Sequence, residues 1–253
     1  MTTKKDIHYL QTLKHNNTPI SMLTCYDALF AELMNKADID CLLVGDSVGT
    51  NVLGYASEQE VTLTDMLHHT AAVARKTTTS FIIADLPYNT YTTPEQGLKS
   101  AQKLVEAGAD AIKFEGYFPE LCTHLVQHNI LPVCHLGLLP QTAIKKTMQA
   151  KTEDEQNTLI KQAQSLEAAG AKLLIIELMP SHVAKRVTTT LTIPVIGIAA
   201  GPDCDGQVQV VNDILGLHEK TFKHVTRFAS LRDDITSIFS TYHQHLKAGH
   251  LIQ

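Results

Sequence analysis

Four acidic residues of this chain occupy the same kind of position. Each comes at the end of a short apolar run: Asp46 after Cys41-Leu42-Leu43-Val44-Gly45, Asp85 after Phe81-Ile82-Ile83-Ala84, Glu115 after Ala111-Ile112-Lys113-Phe114, and Glu177 after Leu173-Leu174-Ile175-Ile176. Runs this short, bounded by turn residues, read as buried strands. If the strand ends converge, like charges raise one another's pKa or require a cation, so the cluster predicts bound metal, protonation, or both. All-oxygen ligation without a histidine pair favours a hard ion, with Mg²⁺ first.

Lys113 and Glu115 stand two apart on one run, so both face the same side while Ile112 and Phe114 face the other. An ammonium beside a metal could hold a substrate carboxylate while the metal takes the remaining oxygens. The implied substrate is a small anionic oxo acid whose enolate a metal stabilises. Ser47, beside Asp46 and between Gly45 and Gly49, reads first as a turn hydroxyl. Any one of these acids alone is more simply a cap or turn former, and it is the four together with Lys113 that point to chemistry.

Other candidates carry less. His124 and His128 share a helix face without an HExxH pattern, and both they and the pair His68 and His69 read as solvated. His135, at a strand end, suits a structural hydrogen bond as well as catalysis. Gly197-Ile198-Ala199-Ala200-Gly201 could cradle phosphate or simply allow close packing. Asp203 and Asp205 read as turn or cap residues, and Cys134 as buried filler.

These residues need a scaffold that brings strand ends together. Strands are expected at Pro19 to Thr24, Cys41 to Val44, Phe81 to Ala84, Ala111 to Phe114, Leu131 to His135, Leu173 to Ile176, Ile193 to Ile198, and Ile214 to Leu217. Between them the periodicity predicts helices, including one capped by Asp27 with Leu29, Phe30, Leu33 and Met34 on one face. Another starts at Thr64, a third has Thr93 as cap and Pro94 in its first turn, and further ones run over Pro119 to His128, Ser181 to Thr190 and Asp203 to Asn212, with a last at Leu231 to Ala248. The polar stretch Gln141 to Gln156 reads as a mobile loop. Eight alternating units with strands apolar on both faces imply a parallel sheet closed as a (β/α)8 barrel, one domain over residues 1–253. No GxGxxG follows the first strand, as an open doubly wound sheet would want.

The composition agrees with this class. With 253 residues, 44% hydrophobic and 19% charged, the chain suits one large α/β domain, and a net charge of −5 argues against a polyanion partner such as nucleic acid. Five cysteines, odd in number and never CxxC, indicate neither a disulfide framework nor a zinc knuckle, so a reducing cytoplasm is the expected compartment. The N-terminal residues form no apolar leader, and no run approaches the ~20 apolar residues of a bilayer span.

The motifs Thr24-Cys25-Tyr26-Asp27, Val44-Gly45-Asp46-Ser47-Val48-Gly49, Ala84-Asp85-Leu86-Pro87, Lys113-Phe114-Glu115-Gly116, His135-Leu136-Gly137-Leu138-Leu139-Pro140-Gln141, Glu177-Leu178-Met179-Pro180 and Asp205-Gly206-Gln207 resemble, in order, those of the 3-methyl-2-oxobutanoate (ketopantoate) hydroxymethyltransferase family. The resemblance runs from about Ser21 to Leu217, and the tail from about 218 matches loosely. It implies a barrel of the phosphoenolpyruvate/pyruvate type assembled as a homodecamer. It also implies Mg²⁺ at Asp46, Asp85 and Glu115, the oxo acid contacted by Asp46, Ser47, Asp85 and Lys113, and Glu177 as general base. The implied co-substrate is 5,10-methylenetetrahydrofolate. Three glycines of the family pattern are replaced: Cys134 precedes His135, Ala150 lies in the shortened segment Lys146 to Lys151, and Ala199 interrupts Gly197 to Gly201.

Overall fold

Side-chain caps decide where most helices of this chain begin. In the computed structural model, which describes residues 3–219, 222 and 225–249, Asp27 accepts a hydrogen bond from Phe30 N and starts α2 (Ala28–Lys36) after β1 (Ile20–Thr24). Asp6 does the same for α1 (Ile7–His15), a helix the polar N-terminal sequence does not announce. After β2 (Cys41–Val44), Thr62 and Asp65 form a capping box that starts α3 (Leu63–Ala74), so the cap lies two residues before the expected Thr64. β3 (Phe81–Asp85) leads to α4 (Pro94–Glu106), capped by Thr93 with Pro94 in its first turn, as expected.

The remaining units alternate in the same way: β4 (Ala111–Glu115), α5 (Pro119–Gln127), β5 (Leu131–Gly137), α6 (Glu153–Ala168), β6 (Leu173–Glu177), α7 (Ser181–Thr190), β7 (Val195–Ile198) and β8 (Gly206–Gln209). All eight strands are parallel neighbours in sequence order and close into a barrel. The chain divides into two compact units, Met1–Val208 and Gln209–Gln253. The second unit holds α8 (Val211–Ile214) and α9 (Leu231–Lys247). No helix among the described residues is long and apolar enough to cross a membrane.

Two expectations need correction. The eighth strand is Gly206–Gln209, inside the segment read as a helix, and Ile214, read as strand, ends α8. The true strand is short and carries two glutamines, so its apolar signal is weak. Gly206 serves the closure, since a Cβ there would lie 2.4 Å from the backbone oxygen of Ile20 on β1. On α2, only Ala31 and Met34 are buried, while Leu29 and Leu33 are 66% and 49% exposed. Leu29 and Leu33 lie four apart and so share a stripe of their own, turned to solvent.

The barrel interior selects which strand residues reach the mouth. Its core contains Cys41, Leu43, Phe81, Ile83, Ala111, Val133, Leu173 and Ile175, with Ile7 and Leu10 of α1 packed into the same cluster. Continuing each alternation by two residues carries Asp85, Lys113, Glu115, His135 and Glu177 onto that interior face at the C-terminal strand ends. Ile112 and Phe114 face the opposite side, as their spacing predicts.

A polar clamp secures α1 at the other end. Asp40 accepts from Ser21 N and Ser21 Oγ at 2.9 Å each and from Tyr9 Oη at 3.0 Å, and Lys5 Nζ lies 3.2 Å away. Burial alone would raise the Asp40 pKa, but the bonds from Ser21, Lys5 and Tyr9 outweigh it and hold the carboxyl below its ordinary value. A depressed pKa contributes stability that is present above the unfolded value and lost as pH falls through the folded one. Asp40→Asn should therefore cost about 1–3 kcal/mol in urea unfolding at pH 7. The gap to wild type should narrow as pH falls below ~4, where the unfolded carboxyl takes up a proton that the native one still resists.

Candidate active site

Strand register brings the acids together in pairs. Asp85 lies opposite Lys113, Glu115 opposite His135, and Glu177 opposite Gly137. Gly137 is required there: its φ is +96°, and a Cβ would come within 2.3 Å of the Glu177 backbone oxygen. Asp46 lies two residues beyond β2, in a turn whose amide N donates to Asp85 Oδ2 at 3.1 Å.

Lys113 is the cation of the cluster. Its Nζ donates to Asp85 Oδ2 at 2.9 Å and stands 3.9 Å from Glu115 Oε1. Asp46, Asp85, Lys113 and Glu115 are each at most 4% exposed. Burial favours the uncharged lysine, yet the facing carboxylates, Asp85 first, raise its pKa and keep it protonated. Burial raises Asp46, and the charges of Asp85 and Glu115 push it the same way. Burial likewise raises Asp85, against the pull of Lys113. Glu115 goes down in spite of burial, because His135 and Lys113 both stabilise its anion.

His135 connects this cluster to the fourth acid. Its Nδ1 lies 3.4 Å from Glu115 Oε1 and its Nε2 3.4 Å from Glu177 Oε2. Neither contact has hydrogen-bond geometry, so the ring is held by charge and by packing rather than by directed bonds. Burial works against a charged ring, but Glu115 and Glu177 lift the His135 pKa to about 9. The Glu177 side chain is 18% exposed, the most open of these groups.

The spacing of the sequence missed two participants. Tyr26, buried at the end of β1, shares a 2.9 Å hydrogen bond with Ser47 Oγ. Gln141, which opens the stretch read as a mobile loop, is 0% exposed. Its Nε2 donates to Asp46 Oδ2 at 2.7 Å and to Leu86 O at 2.9 Å, and its backbone N donates to Glu115 Oε2 at 3.0 Å. The start of the loop is therefore fixed, not mobile. Its far end is held too, where Gln149 N donates to Leu178 O at 2.8 Å and Thr152 caps α6. Between these anchors Ile144 is 98% exposed.

The other sequence candidates stay apart from the cluster. His124 and His128 face each other on α5 with ring centroids 4.7 Å apart, and His69 Nδ1 contacts Tyr26 O. Cys134 is buried, Asp203 pairs with exposed Lys185, and Asp205 binds Lys14 and Val195 N. Gly197 packs against Cys204 and Gln207, which accounts for it without a phosphate.

The donor set suits a hard cation. Asp46, Asp85 and Glu115 offer only oxygen, and Asp85 Oδ1 is buried with no hydrogen-bond partner. Among the described residues, no three His, Cys, Asp or Glu side chains already converge as a complete ligand group. Oxygen-only donors are the kind Mg²⁺ takes, and a cation held by these acids would draw the rest of its shell from water and substrate oxygens.

Residues 4–251 match the family model described as ketopantoate hydroxymethyltransferase. The chain is 44% identical to a 3-methyl-2-oxobutanoate hydroxymethyltransferase from Roseiflexus sp. (strain RS-1), over 94% of this chain and 88% of the relative. It is 41% identical to one from Idiomarina loihiensis, over 98% and 96%, and 42% identical to one from Caldivirga maquilingensis, over 90% and 88%. Among solved structures, phosphonopyruvate hydrolase in complex with oxalate and Mg²⁺ superposes with a TM-score of 0.66 at 11% identity, over 97% of this chain and 88% of that one. The phosphoenolpyruvate phosphomutase of Streptomyces platensis subsp. rosaceus does so at 0.63 and 15%, over 96% and 88%. At such identities the likeness concerns the barrel fold.

Removing the single ammonium should expose the electrostatics of this cluster. Lys113→Met should lower stability by about 3–5 kcal/mol at pH 7 in chelator, the loss typical of breaking a buried ion pair. Part of the loss should return as pH falls, because acids with raised pKa values bind protons first and then no longer need the cation. A loss independent of pH would contradict the charge assignment.

Proposed function

The chain belongs to the ketopantoate hydroxymethyltransferase family, and from that premise we propose that the buried acids hold the 2-oxo acid with a divalent cation while Glu177 removes its C3 proton. The enzyme transfers a hydroxymethyl group to 3-methyl-2-oxobutanoate, a step of pantothenate biosynthesis. The one-carbon unit of 5,10-methylenetetrahydrofolate joins C3, water supplies the hydroxyl oxygen, and the products are 2-dehydropantoate and tetrahydrofolate. The observation that carries the residue assignment is the line of interior groups from Asp85 and Lys113 through Glu115 and His135 to Glu177.

Each group then has a task set by its place. Asp46, Asp85 and Glu115 are assigned to Mg²⁺, which when bound would stabilise the charge that develops on the keto oxygen as C3 loses its proton. Lys113, kept protonated by its neighbours, is assigned to the substrate carboxylate, and Asp46, Asp85 and Ser47 contact the oxo acid beside it. Tyr26 fixes the Ser47 hydroxyl. The base must be a group not occupied with the cation, and Glu177 meets that requirement. Through its charge, His135 orients the Glu177 carboxylate.

Assembly and compartment follow the same reading. One face of α9 leaves Ile238, Phe239 and Tyr242 more than half exposed. A stripe of that kind marks a contact surface, and we assign it to the homodecamer. The free cysteines among the described residues suit the reducing cytoplasm, where we place the reaction.

Incubated with Mg²⁺, 3-methyl-2-oxobutanoate and 5,10-methylenetetrahydrofolate, the protein should form 2-dehydropantoate. Glu177→Gln should lower kcat by ~10²–10⁴, the usual worth of a positioned general base. Product formation by the variant at the wild-type rate would remove Glu177 from this role. Sedimentation should show a decamer that Phe239→Ser weakens, and a wild-type monomer at micromolar concentration would contradict the assembly.

A further inference from the structure

One residue outside the assigned set touches more of the mouth than any member of it. Gln141 engages both ends of its side-chain amide. Nε2 donates to Asp46 Oδ2 and to Leu86 O, while Oε1 accepts from Tyr91 Oη. Its main chain is engaged as well, with N donating to Glu115 Oε2 at 3.0 Å and O accepting from Gln59 Nε2 at 2.7 Å. Five segments therefore meet at it: the turn after β2, the loop after β3, the end of β4, its own loop after β5, and the short 3₁₀ turn Glu58–Glu60.

The orientation of this amide is forced. Leu86 O can only accept, and a carboxylate at Asp46 can only accept, so the NH₂ must face both. The carbonyl is then left for the Tyr91 hydroxyl, which also reaches Glu115 O at 3.3 Å. Turning the amide over would set an oxygen against the carboxylate at 2.7 Å and leave buried groups unpaired.

The geometry points to Gln141 as the positioning residue for the cation and oxo-acid site: it holds one oxygen each of Asp46 and Glu115, so that the other oxygen of each is the one presented to the ligand. This inference rests on the assignment of Asp46 and Glu115 proposed above. It makes Tyr91 the residue that locks the amide, and it ties the loop after β5 to the acids on β2 and β4. Carboxylates that bind metals are commonly fixed in this way, and loss of the fixing partner typically costs 10–100-fold in metal affinity or activity.

The test uses Gln141→Met in the full chain, since methionine keeps the bulk of the side chain and removes its donors. The Mn²⁺ dissociation constant, read by electron paramagnetic resonance without substrate, should rise about 10–100-fold. KM for the oxo acid should rise, while KM for the folate donor stays at its wild-type value. Tyr91→Phe should give a smaller loss of Mn²⁺ affinity that disappears in the Gln141→Met background, because both changes release the same amide. A merely structural residue would lower the melting temperature without moving Mn²⁺ affinity, and its effect would add to that of Tyr91→Phe. Either result, or wild-type Mn²⁺ binding by Gln141→Met, overturns the inference. Should the methionine variant not fold, Gln141→Asn, one methylene short of Asp46, gives the same readouts. Asp46→Asn separates the two levels. If it binds Mn²⁺ as wild type, the site assignment itself fails; if it loses Mn²⁺ while Gln141→Met retains it, only the role of Gln141 fails.

Discussion

The mouth of the barrel confines three carboxylates, one ammonium and one imidazole in a volume from which water is nearly excluded. Burial alone would neutralise every one of these groups. Lys113 stays charged only because Asp85 and Glu115 face it, and Glu115 stays ionised only because His135 and Lys113 do. Asp46 and Asp85 are the remainder: burial raises both, with neighbouring carboxylates adding to the rise at Asp46 and Lys113 opposing it at Asp85. In the proposed reading, a divalent cation and an anionic oxo acid join this balance together. The rest of the structure supports this cluster: strand register sets Asp85 opposite Lys113 and Glu115 opposite His135, Gly137 lets β5 and β6 approach, and Gln141 hydrogen-bonds Asp46 and Glu115.

Much of this was legible from the sequence, for a definite reason. Strand alternation is a strict two-residue rule, so an acid two places beyond a core residue must share its face. Asp85, Lys113, Glu115 and Glu177 could be placed from that rule once the strands were found, whereas Asp46, in the turn beyond β2, could not. Motif resemblance then supplied roles that alternation cannot. Tyr26 and Gln141 escaped because their importance lies in contacts far along the chain, the amide of Gln141 reaching back 95 residues to Asp46. A polar residue at the start of a polar stretch gives no local sign that it is buried. The eighth strand escaped because closure there depends on Gly206 lying against the Ile20 backbone, a fit between residues at opposite ends of the barrel sequence.

The departures from the family pattern can also be judged physically. Ala150 and Ala199, both in positions where the pattern has glycine, adopt φ of +52°, a left-handed conformation that costs an L-residue roughly 1–2 kcal/mol. Leu178, directly after Glu177, has φ +51° and accepts from Gln149 N while donating to Ile198 O. The loops after β5, β6 and β7 thus keep the glycine-type geometry even where the glycine is gone. Cys134 lies within β5 with its side chain fully buried, away from the interior face that carries His135. The replacements leave the acid cluster, Lys113 and the strand end carrying Glu177 in place.

In the proposed mechanism this cluster and Glu177 together take the proton from C3 of the oxo acid, and that step can be watched without the folate. In D₂O with Mg²⁺ and 3-methyl-2-oxobutanoate alone, proton NMR should show the C3 signal disappearing at a rate proportional to enzyme. Chelation of the metal or Glu177→Gln should abolish that exchange. Exchange that continues undiminished in the Glu177→Gln enzyme, or its absence in the wild type with metal present, would contradict the assignment.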